Sequence, residues 1–233
     1  MILLRRSADR GHANHGWLDS RHTFSFGGYH DLAWMGFGPL RVINEDRVAP
    51  GGGFAQHGHA NMEIISYVIE GALQHRDSIG TGSVIRPGDV QRMSAGSGIE
   101  HSEFNASQAE PVHFLQVWIQ PDRLNAAPSY AQEHFPVEAR RGALRLVASP
   151  DGVDGSLSIR QDARMYATVL APGESVSHPL ASGRKAWVQV VHGTLRLDEE
   201  TLLEAGDGAG ISGQSGLRLH AESDCEALLF DLP

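Results

Sequence analysis

The chain has 233 residues, of which 41% are hydrophobic and 20% charged, proportions typical of a soluble globular protein with a substantial core. Its 28 acidic and 19 basic residues give a formal net charge of −9 with no block of Lys or Arg, so direct nucleic-acid binding is not favoured. No run of about 18 apolar residues occurs, and the first residues become charged after Leu4, so we expect neither a membrane span nor a secretory signal.

The first half of the chain consists of short β-type segments. They are rich in branched and aromatic residues and are bounded by Gly, Pro, Asn, Asp or Ser, which is typical of an antiparallel sandwich or barrel. The predicted segments are LRVINEDRVAP (40–50), MEIISYVIEG (62–71), GALQHRDS (71–78), GSVIRPGDVQRMSAG (82–96), IEHSEFNAS (99–107) and VHFLQVWIQP (112–121). No amphipathic helical window of useful length occurs, so any helices should be short.

Residues 122–136 differ in character, because prolines lie at both ends of the polar stretch PDRLNAAPSYAQEHFP. We interpret them as a connection rather than a strand. A second β series follows, with LRLVAS (144–149), SLSIRQD (156–162), RMYATVLAPG (164–173), AWVQVVHGTLRL (186–197), GAGISG (208–213), LRLHAE (217–222) and CEALLFDL (225–232). These features predict an N-terminal domain at 1–121, the connection at 122–136 and a C-terminal domain at 137–233.

The two halves of the chain resemble each other. In each, a glycine (Gly71 or Gly193) follows an apolar strand, and a Gly-Asp turn (at Gly88 or Gly206) precedes another strand. Such self-similarity predicts an all-β chain with two antiparallel β-barrel domains, and chance matching of common hairpin residues is the alternative. Where the first half has HGHANME, the second has PGESVSHPLASGR, with a single histidine. Only the N-terminal domain is therefore expected to contain a chemically active site.

Two pairs of candidate metal ligands lie on separate predicted strands. Since alternate residues of a strand point to the same side, His57 and His59 should project together, and so should His101 and Glu103. Three imidazoles and one carboxylate form a coordination set for a divalent ion such as Fe, Cu, Mn, Ni or Zn. The single cysteine, Cys225, excludes an intramolecular disulfide and a thiolate metal cage, in agreement with a reducing, cytoplasmic compartment.

Glu63 is a less secure candidate. It has the parity of His59 but lies about 13 Å further along a regular strand, at roughly 3.3 Å per residue, so a bulge or bend would have to bring it to the same ion. A locally hydrogen-bonded carboxylate is the alternative. His75 follows a hairpin and is a candidate for lining a cavity or for a structural role. The other histidines lack a paired ligand and are interpreted as surface or structural residues: His12, His15, His22, His113, His178, His192 and His220.

The sequence resembles the pirin family of the cupin superfamily. The resemblance is carried by RGHANHGWLDSRHTFSF (10–26), GGGFAQHGHANMEIISYVIEGALQHRDSIG (51–80), PGDVQRMSAGSGIEHSEFN (87–105), LQVWIQP (115–121) and the terminal LLFDLP. It implies a bicupin fold with one divalent metal ion in the N-terminal domain, iron in first place and Cu, Mn, Ni, Co or Zn as alternatives. The ligands implied by the family pattern are His57, His59, His101 and Glu103, with Glu63 outside the set.

Bacterial members of this family resemble quercetin 2,3-dioxygenases. The resemblance implies an oxidoreductase that uses dioxygen to open the heterocycle of a flavonol with loss of carbon monoxide, with Glu103 taking the proton of the substrate's 3-hydroxyl group. Phe54, Met93, Gln116 and Trp118 are candidates for the pocket wall, and packing in a barrel core explains them equally well. Two alternatives have the same ligands: a metal-dependent regulatory protein that acts through a protein partner, and an oxygenase whose substrate is not a flavonoid.

Overall fold

The computed structural model describes residues 1–198 and 200–233, and strands dominate it. In chain order the strands are β1 (Ile2–Arg5), β2 (Gly11–Asn14), β3 (Leu18–His22), β4 (Leu40–Val48), β5 (Gly53–His59), β6 (Glu63–Glu70), β7 (Leu73–Asp77), β8 (Gly82–Ile85), β9 (Asp89–Ser94), β10 (Ile99–Asn105), β11 (Val112–Ile119), β12 (Ser129–His134), β13 (Arg145–Ser149), β14 (Leu157–Ser158), β15 (Arg164–Leu170), β16 (Ser175–Pro179), β17 (Lys185–His192), β18 (Thr194–Leu197), β19 (Thr201–Glu204), β20 (Gly208–Ser212), β21 (Gly216–Ala221) and β22 (Cys225–Leu232). The predicted all-β class is confirmed.

Helical structure within the described ranges is restricted to single turns. They are α1 (Val137–Arg140) and 3₁₀ turns at Ser7–Asp9, Leu32–Trp34 and Val153–Gly155. The expectation of short helices is therefore confirmed, and none of these turns has the length or the apolar composition needed to cross a bilayer.

The chain forms two compact units. The N-terminal unit consists of Gly11–His134 and Ile159–Gln161, and the C-terminal unit consists of Met1–Arg10, Phe135–Ser158 and Asp162–Pro233. The predicted division into domains at 1–121 and 137–233 stays a prediction.

The N-terminal unit contains two antiparallel sheets. One has the strand order β12-β9-β6-β11-β4-β3-β2, and the other has the order β5-β10-β7-β8. Buried apolar residues from both sheets pack together in one cluster: Leu18, Val48, Val68, Leu73, Ile85, Val112 and Phe114. The space between the sheets is therefore a hydrophobic core over part of its length, and burial of each such side chain stabilises the fold by about 1.5–3 kcal/mol.

The C-terminal unit repeats this arrangement. Its sheets have the orders β1-β20-β17-β22-β15-β13-β14 and β16-β21-β18-β19, so strands β15–β22 occupy the positions that β4–β11 occupy in the N-terminal unit. The glycines matched in sequence, Gly71 and Gly88 against Gly193 and Gly206, all have positive φ angles, of 77°, 92°, 75° and 83°. Glycine adopts this left-handed backbone without steric cost, which explains its recurrence at these turns. The common strand order supports the predicted duplication.

One prediction about the connection is wrong, because residues 122–136 contain a strand. β12 pairs with β9 at the edge of the larger sheet of the N-terminal unit. Its polar side chains form hydrogen bonds instead of packing into a core: Gln132 Nε2 donates to Asp89 Oδ2 (3.2 Å), and His134 Nδ1 lies 2.7 Å from Asp89 Oδ1. An edge strand held by polar contacts lacks the apolar alternation by which strands are recognised in a sequence.

Candidate metal centre

Strands β5 and β10 bring the three predicted histidine ligands together. They pair antiparallel with His57 opposite His101 and His59 opposite Ile99, and the register shifts so that Glu103 lies opposite Phe54. The ring centroids are 4.8 Å apart for His57 and His59, 4.5 Å for His57 and His101, and 4.9 Å for His59 and His101. One ligand atom of each histidine lies within 4.8 Å of the others.

Glu103 belongs to a second, overlapping cluster. Ligand atoms of His75, His101 and Glu103 also lie within 4.8 Å of one another, and all three residues are buried. Oε1 of Glu103 accepts a hydrogen bond from Ser66 Oγ (3.2 Å), and Oε2 accepts one from Gln116 Nε2 (2.7 Å). His101 is common to both clusters, so the four predicted ligands form one continuous group of side chains.

Burial keeps two of the imidazoles neutral. The pKa of His59 is lowered to about 4, first by desolvation and then by the charge of His57. The pKa of His101 is lowered to about 2, again first by desolvation and then by the neighbouring His57, His59 and His75. Nδ1 of His57 lies 2.8 Å from the carbonyl oxygen of Ala55, to which it donates, so in the neutral ring Nε2 carries the lone pair. Neutral imidazoles are the form that binds metal ions.

The donor set fits a divalent transition metal. Both ring nitrogens of the buried His101 lack a hydrogen-bond partner, an arrangement that costs free energy in a closed protein interior unless a further group satisfies them. Burial raises the pKa of Glu103, an effect opposed by the charge of His75 and by the hydrogen bonds from Gln116 and Ser66. A cation beside this carboxylate would favour its ionised form.

A cavity of about 640 Å³ adjoins the cluster. Aromatic rings form much of its wall: Trp17 packs edge-on against Phe54 (centroids 5.2 Å apart), and Trp118 packs against Phe26 (5.3 Å) and His59 (4.9 Å). His57, Glu103 and Gln116 also line it. A cavity of this size with aromatic walls and polar groups at defined positions suits an organic ligand with flat rings.

Sequence reasoning missed a polar wall of the same cavity. Ser20 Oγ donates a hydrogen bond to Asp46 Oδ1, and His22 Nε2 lies 2.9 Å from Ser20 Oγ. Burial raises the pKa of Asp46 to about 7. The hydrogen bond from Ser20 acts in the opposite direction, and the negative charges of Glu103 and Glu45 raise the pKa further. Strand alternation in LDSRH, with Ser20 and His22 on the same face as Leu18, is the signal that could have shown it.

Glu63 and Met93 lie outside the histidine clusters and do not line the cavity. Glu63 is buried, accepts a hydrogen bond from Ser94 Oγ (2.7 Å) and belongs to neither histidine cluster of the described residues. Burial raises its pKa, and the positive charges of Arg92 and Arg160 act in the opposite direction. Met93 packs in an apolar cluster with Ile64, Ala95 and Ile99 and does not line the cavity, so of the two alternatives for this residue the structure has the core position. Phe54, Gln116 and Trp118 do line the cavity.

Other histidines have structural contacts, as predicted. His12 lies 3.2 Å from Asp19, His113 lies 2.9 Å from Glu45, and His178 lies 2.8 Å from Asp231. His220 Nδ1 lies 2.8 Å from Ser175 Oγ. His75 differs from these four residues, because it is completely buried beside the predicted ligands.

Comparison with known proteins gives one consistent result. The family model Pirin matches residues 4–119, and the model for a quercetinase C-terminal cupin domain matches residues 146–232. The chain is 46% identical to the quercetin 2,3-dioxygenase of Escherichia coli strain K12 over 233 residues, which is 100% of the chain and 99% of that protein. The crystal structure of the bacterial pirin YhhW of E. coli in complex with nickel(II) is similar at a TM-score of 0.95 and 45% identity, covering 100% of this chain and 99% of that one.

A more distant solved structure has the same fold. A quercetin 2,3-dioxygenase of Acinetobacter baumannii is 22% identical, with a TM-score of 0.75 over 91% of this chain and 80% of that chain. The full-length likeness to YhhW and the match to the cupin-domain model confirm the predicted cupin fold.

Proposed function

The chain belongs to the pirin family, and we propose that it is a metal-dependent dioxygenase that opens the heterocycle of a flavonol such as quercetin with release of carbon monoxide. The observation that carries the proposal is the meeting of three imidazoles and Glu103 at the wall of an aromatic-lined cavity. The full-length similarity to the quercetin 2,3-dioxygenase of E. coli supports it. We further propose a cytoplasmic protein without direct nucleic-acid contacts, in line with the net charge of −9.

His57, His59, His101 and Glu103 would hold one divalent ion, with iron in first place and Cu, Mn, Ni, Co or Zn as alternatives. Three neutral imidazoles and one carboxylate leave a divalent ion with net positive charge. When bound, such an ion supplies Lewis-acid and redox chemistry to the substrate. His101 is buried, whereas His57 and His59 remain partly accessible from the cavity.

The aromatic walls would bind the flat rings of the substrate. Two edge-on aromatic pairs, Trp17 with Phe54 and Phe26 with Trp118, offer ring faces and edges within one cavity. Burial of the substrate against them excludes water from its hydroxyl and keto groups, which strengthens every polar contact made inside.

Glu103 would take the proton of the substrate's 3-hydroxyl group. Its pKa is raised by burial, so the carboxylate is a stronger base than an exposed glutamate. Ser66 and Gln116 hold both of its oxygens by hydrogen bonds and so fix the direction from which it accepts the proton. Dioxygen then cleaves the heterocycle, and one carbon leaves as carbon monoxide.

Turnover of quercetin tests the proposal. The chain would be loaded anaerobically with Fe, Cu, Mn, Ni or Co in separate samples, mixed with quercetin and then exposed to oxygen. We expect loss of the flavonol absorbance together with carbon monoxide, and a kcat reduced by about 10²–10⁴-fold in Glu103→Gln. His113→Phe is the matched control, since His113 contacts Glu45 and does not line the cavity. No turnover with any ion would favour the regulatory binding protein.

A further inference from the structure

Strand register brings a further histidine and a further carboxylate into the metal centre. On the antiparallel pair β7 and β10, His75 lies opposite Glu103 and Asp77 lies opposite His101. Directly opposite residues project from the same face of a sheet with Cβ atoms about 4.5–5.5 Å apart. The side chains of His75 and Asp77 are both completely buried. Each candidate ligand on β10 therefore has a buried polar neighbour on β7.

The carboxylate of Asp77 is fixed by the turn that follows β7. Its Oδ1 accepts hydrogen bonds from the backbone N–H groups of Ile79 (3.1 Å) and Thr81 (2.8 Å). Its Oδ2 lies 3.1 Å from Nε2 of His75. Because an ionised carboxylate can only accept, the proton of this contact belongs to Nε2 of His75. Asp77 thus sets the tautomer of the imidazole.

The ring of His75 is also held in orientation. It stacks on Tyr130 with centroids 4.9 Å apart and planes inclined by 29°. The hydroxyl of Tyr130 contacts Ser83 Oγ and Gln132 Oε1. With Asp77 at one edge and Tyr130 on one face, the direction of Nδ1 is determined by the surrounding strands.

Nδ1 of His75 is buried without a hydrogen-bond partner, and so are both ring nitrogens of His101. The two ring centroids are 5.4 Å apart. Glu103 cannot supply the missing contact in its ionised form, because a carboxylate has no proton to donate to the Nδ1 lone pair. His101 can, since a neutral imidazole that binds a metal ion through one nitrogen carries a proton on the other.

We propose that His75, oriented by Asp77, is a positioning residue of the metal centre that accepts a hydrogen bond from the non-coordinating N–H of His101. The relay would run from Asp77 through His75 to His101 and would fix the ring orientation and tautomer of the most buried of the three imidazole ligands. Its last hydrogen bond, between His75 and His101, is not formed in this structure, where the nitrogens concerned are unpartnered. Contacts of this kind typically change metal affinity by about 10–100-fold. The inference rests on the metal centre proposed above but not on the identity of its substrate.

Three substitutions separate this role from simple packing. His75→Phe keeps a ring for Tyr130 but removes the acceptor, so we expect Co(II) to bind about 10–100-fold more weakly. His75→Asn retains an acceptor near the position of Nδ1 and should bind within about threefold of the wild type. Asp77→Asn retains an oxygen for the turn but presents an amide N–H to Nε2, which moves the imidazole proton to Nδ1, so it should also bind more weakly.

The measurement is a calorimetric titration of metal-free protein with Co(II), together with the visible spectrum of the bound ion and the thermal unfolding of the metal-free variants. His113→Phe is the matched control, since it removes another buried histidine that contacts a carboxylate. We expect it to leave the affinity unchanged. If His75→Phe does not fold, the comparison of His75→Asn with Asp77→Asn still decides the question.

Equal affinities of the wild type, His75→Phe and Asp77→Asn would overturn the positioning role. A Co(II) spectrum that shows one nitrogen ligand fewer in His75→Phe would also overturn it, because His75 would then be a ligand. A wild-type chain that binds no Co(II) would overturn the metal centre itself. Metal binding without quercetin turnover would leave the role of His75 intact and remove only the proposed substrate.

Discussion

The two units have a common strand order but fill equivalent interior positions with opposite chemistry. In the N-terminal unit, β7 and β10 place His75 opposite Glu103. In the C-terminal unit, the equivalent strands β18 and β21 place Leu197 opposite Leu219. His75 and Leu197 each lie four residues after the hairpin glycine, Gly71 or Gly193. By the pairing register, Leu217 occupies the place of His101.

This difference shows how a duplicated fold separates stability from chemistry. Leu197, Leu217 and Leu219 belong to one apolar core, and burial of each contributes about 1.5–3 kcal/mol. Buried polar groups cost free energy unless they are paired. The N-terminal unit therefore has polar side chains, His75, His101 and Glu103, at three interior positions where the C-terminal unit has apolar contacts. His178, which takes the place of His57 by register, is bonded to Asp231 instead.

The largest loss of stability is expected when a carboxyl group like that of Glu103 is placed at the equivalent position of the C-terminal unit. Leu219→Glu places a carboxyl group in a core that offers it no partner comparable to Ser66 or Gln116, so the free energy of unfolding should fall by about 3–5 kcal/mol. Urea denaturation of the metal-free protein measures it. Leu219→Met keeps the volume and should cost less than about 1.5 kcal/mol. If both variants were equally stable, the two cores would not differ as described.

Removal of a ligand should abolish the chemistry of the N-terminal unit and leave its fold. His57→Ala or His101→Ala takes one imidazole from the cluster, so metal affinity should fall by about 100–1,000-fold, which corresponds to about 3–4 kcal/mol. Metal analysis after dialysis and far-UV circular dichroism measure the two properties. Unfolding of both variants at room temperature would contradict the view that the apolar core, and not the ion, supplies most of the stability.

The polar wall predicts a pH dependence that the C-terminal core lacks. Because burial raises the pKa of Asp46 from an ordinary 3.8 to about 7 in the folded chain, the folded state binds the proton more tightly, so stability is greatest at low pH and falls as pH rises toward 7. Asp46→Asn removes this contribution. The difference in unfolding free energy between wild type and variant should change by up to about 3 kcal/mol between roughly pH 4 and pH 7, since one pKa unit is about 1.4 kcal/mol.

Urea denaturation of both metal-free proteins across this pH range provides the measurement. A difference that does not depend on pH would show that Asp46 ionises in the folded protein as it does in the unfolded chain.

The smallest effect, a change in substrate binding, is expected for a substitution in the aromatic wall of the cavity. Trp17→Ala removes the ring that packs on Phe54, so KM for the flavonol should rise by about 5–30-fold with kcat little changed, a loss of about 1–2 kcal/mol of substrate binding. Leu202→Ala removes an exposed apolar side chain of the C-terminal unit and is the control. A change in kcat without a change in KM would assign Trp17 to the reaction rather than to binding.

The sequence by itself determined the fold class, the repeat and the paired candidate ligands. Alternation along a strand is a local property, so His57 with His59 and His101 with Glu103 could be assigned to common faces from spacing alone. The glycines at Gly71 and Gly193 are likewise required by the local backbone. Local patterns of this kind need no knowledge of which strands are neighbours.

Only the tertiary structure decided which strands meet. Pairing of β7 with β10 brings His75 to Glu103, and pairing of β3 with β4 brings Ser20 to Asp46. Glu63 is closer to His59 in the sequence than His101 or Glu103 is, but its carboxylate accepts a hydrogen bond from Ser94. Strand neighbours are set by long-range packing between residues far apart in the chain, and for that reason the polar residues around the candidate ligands could not be identified from their spacing in the sequence.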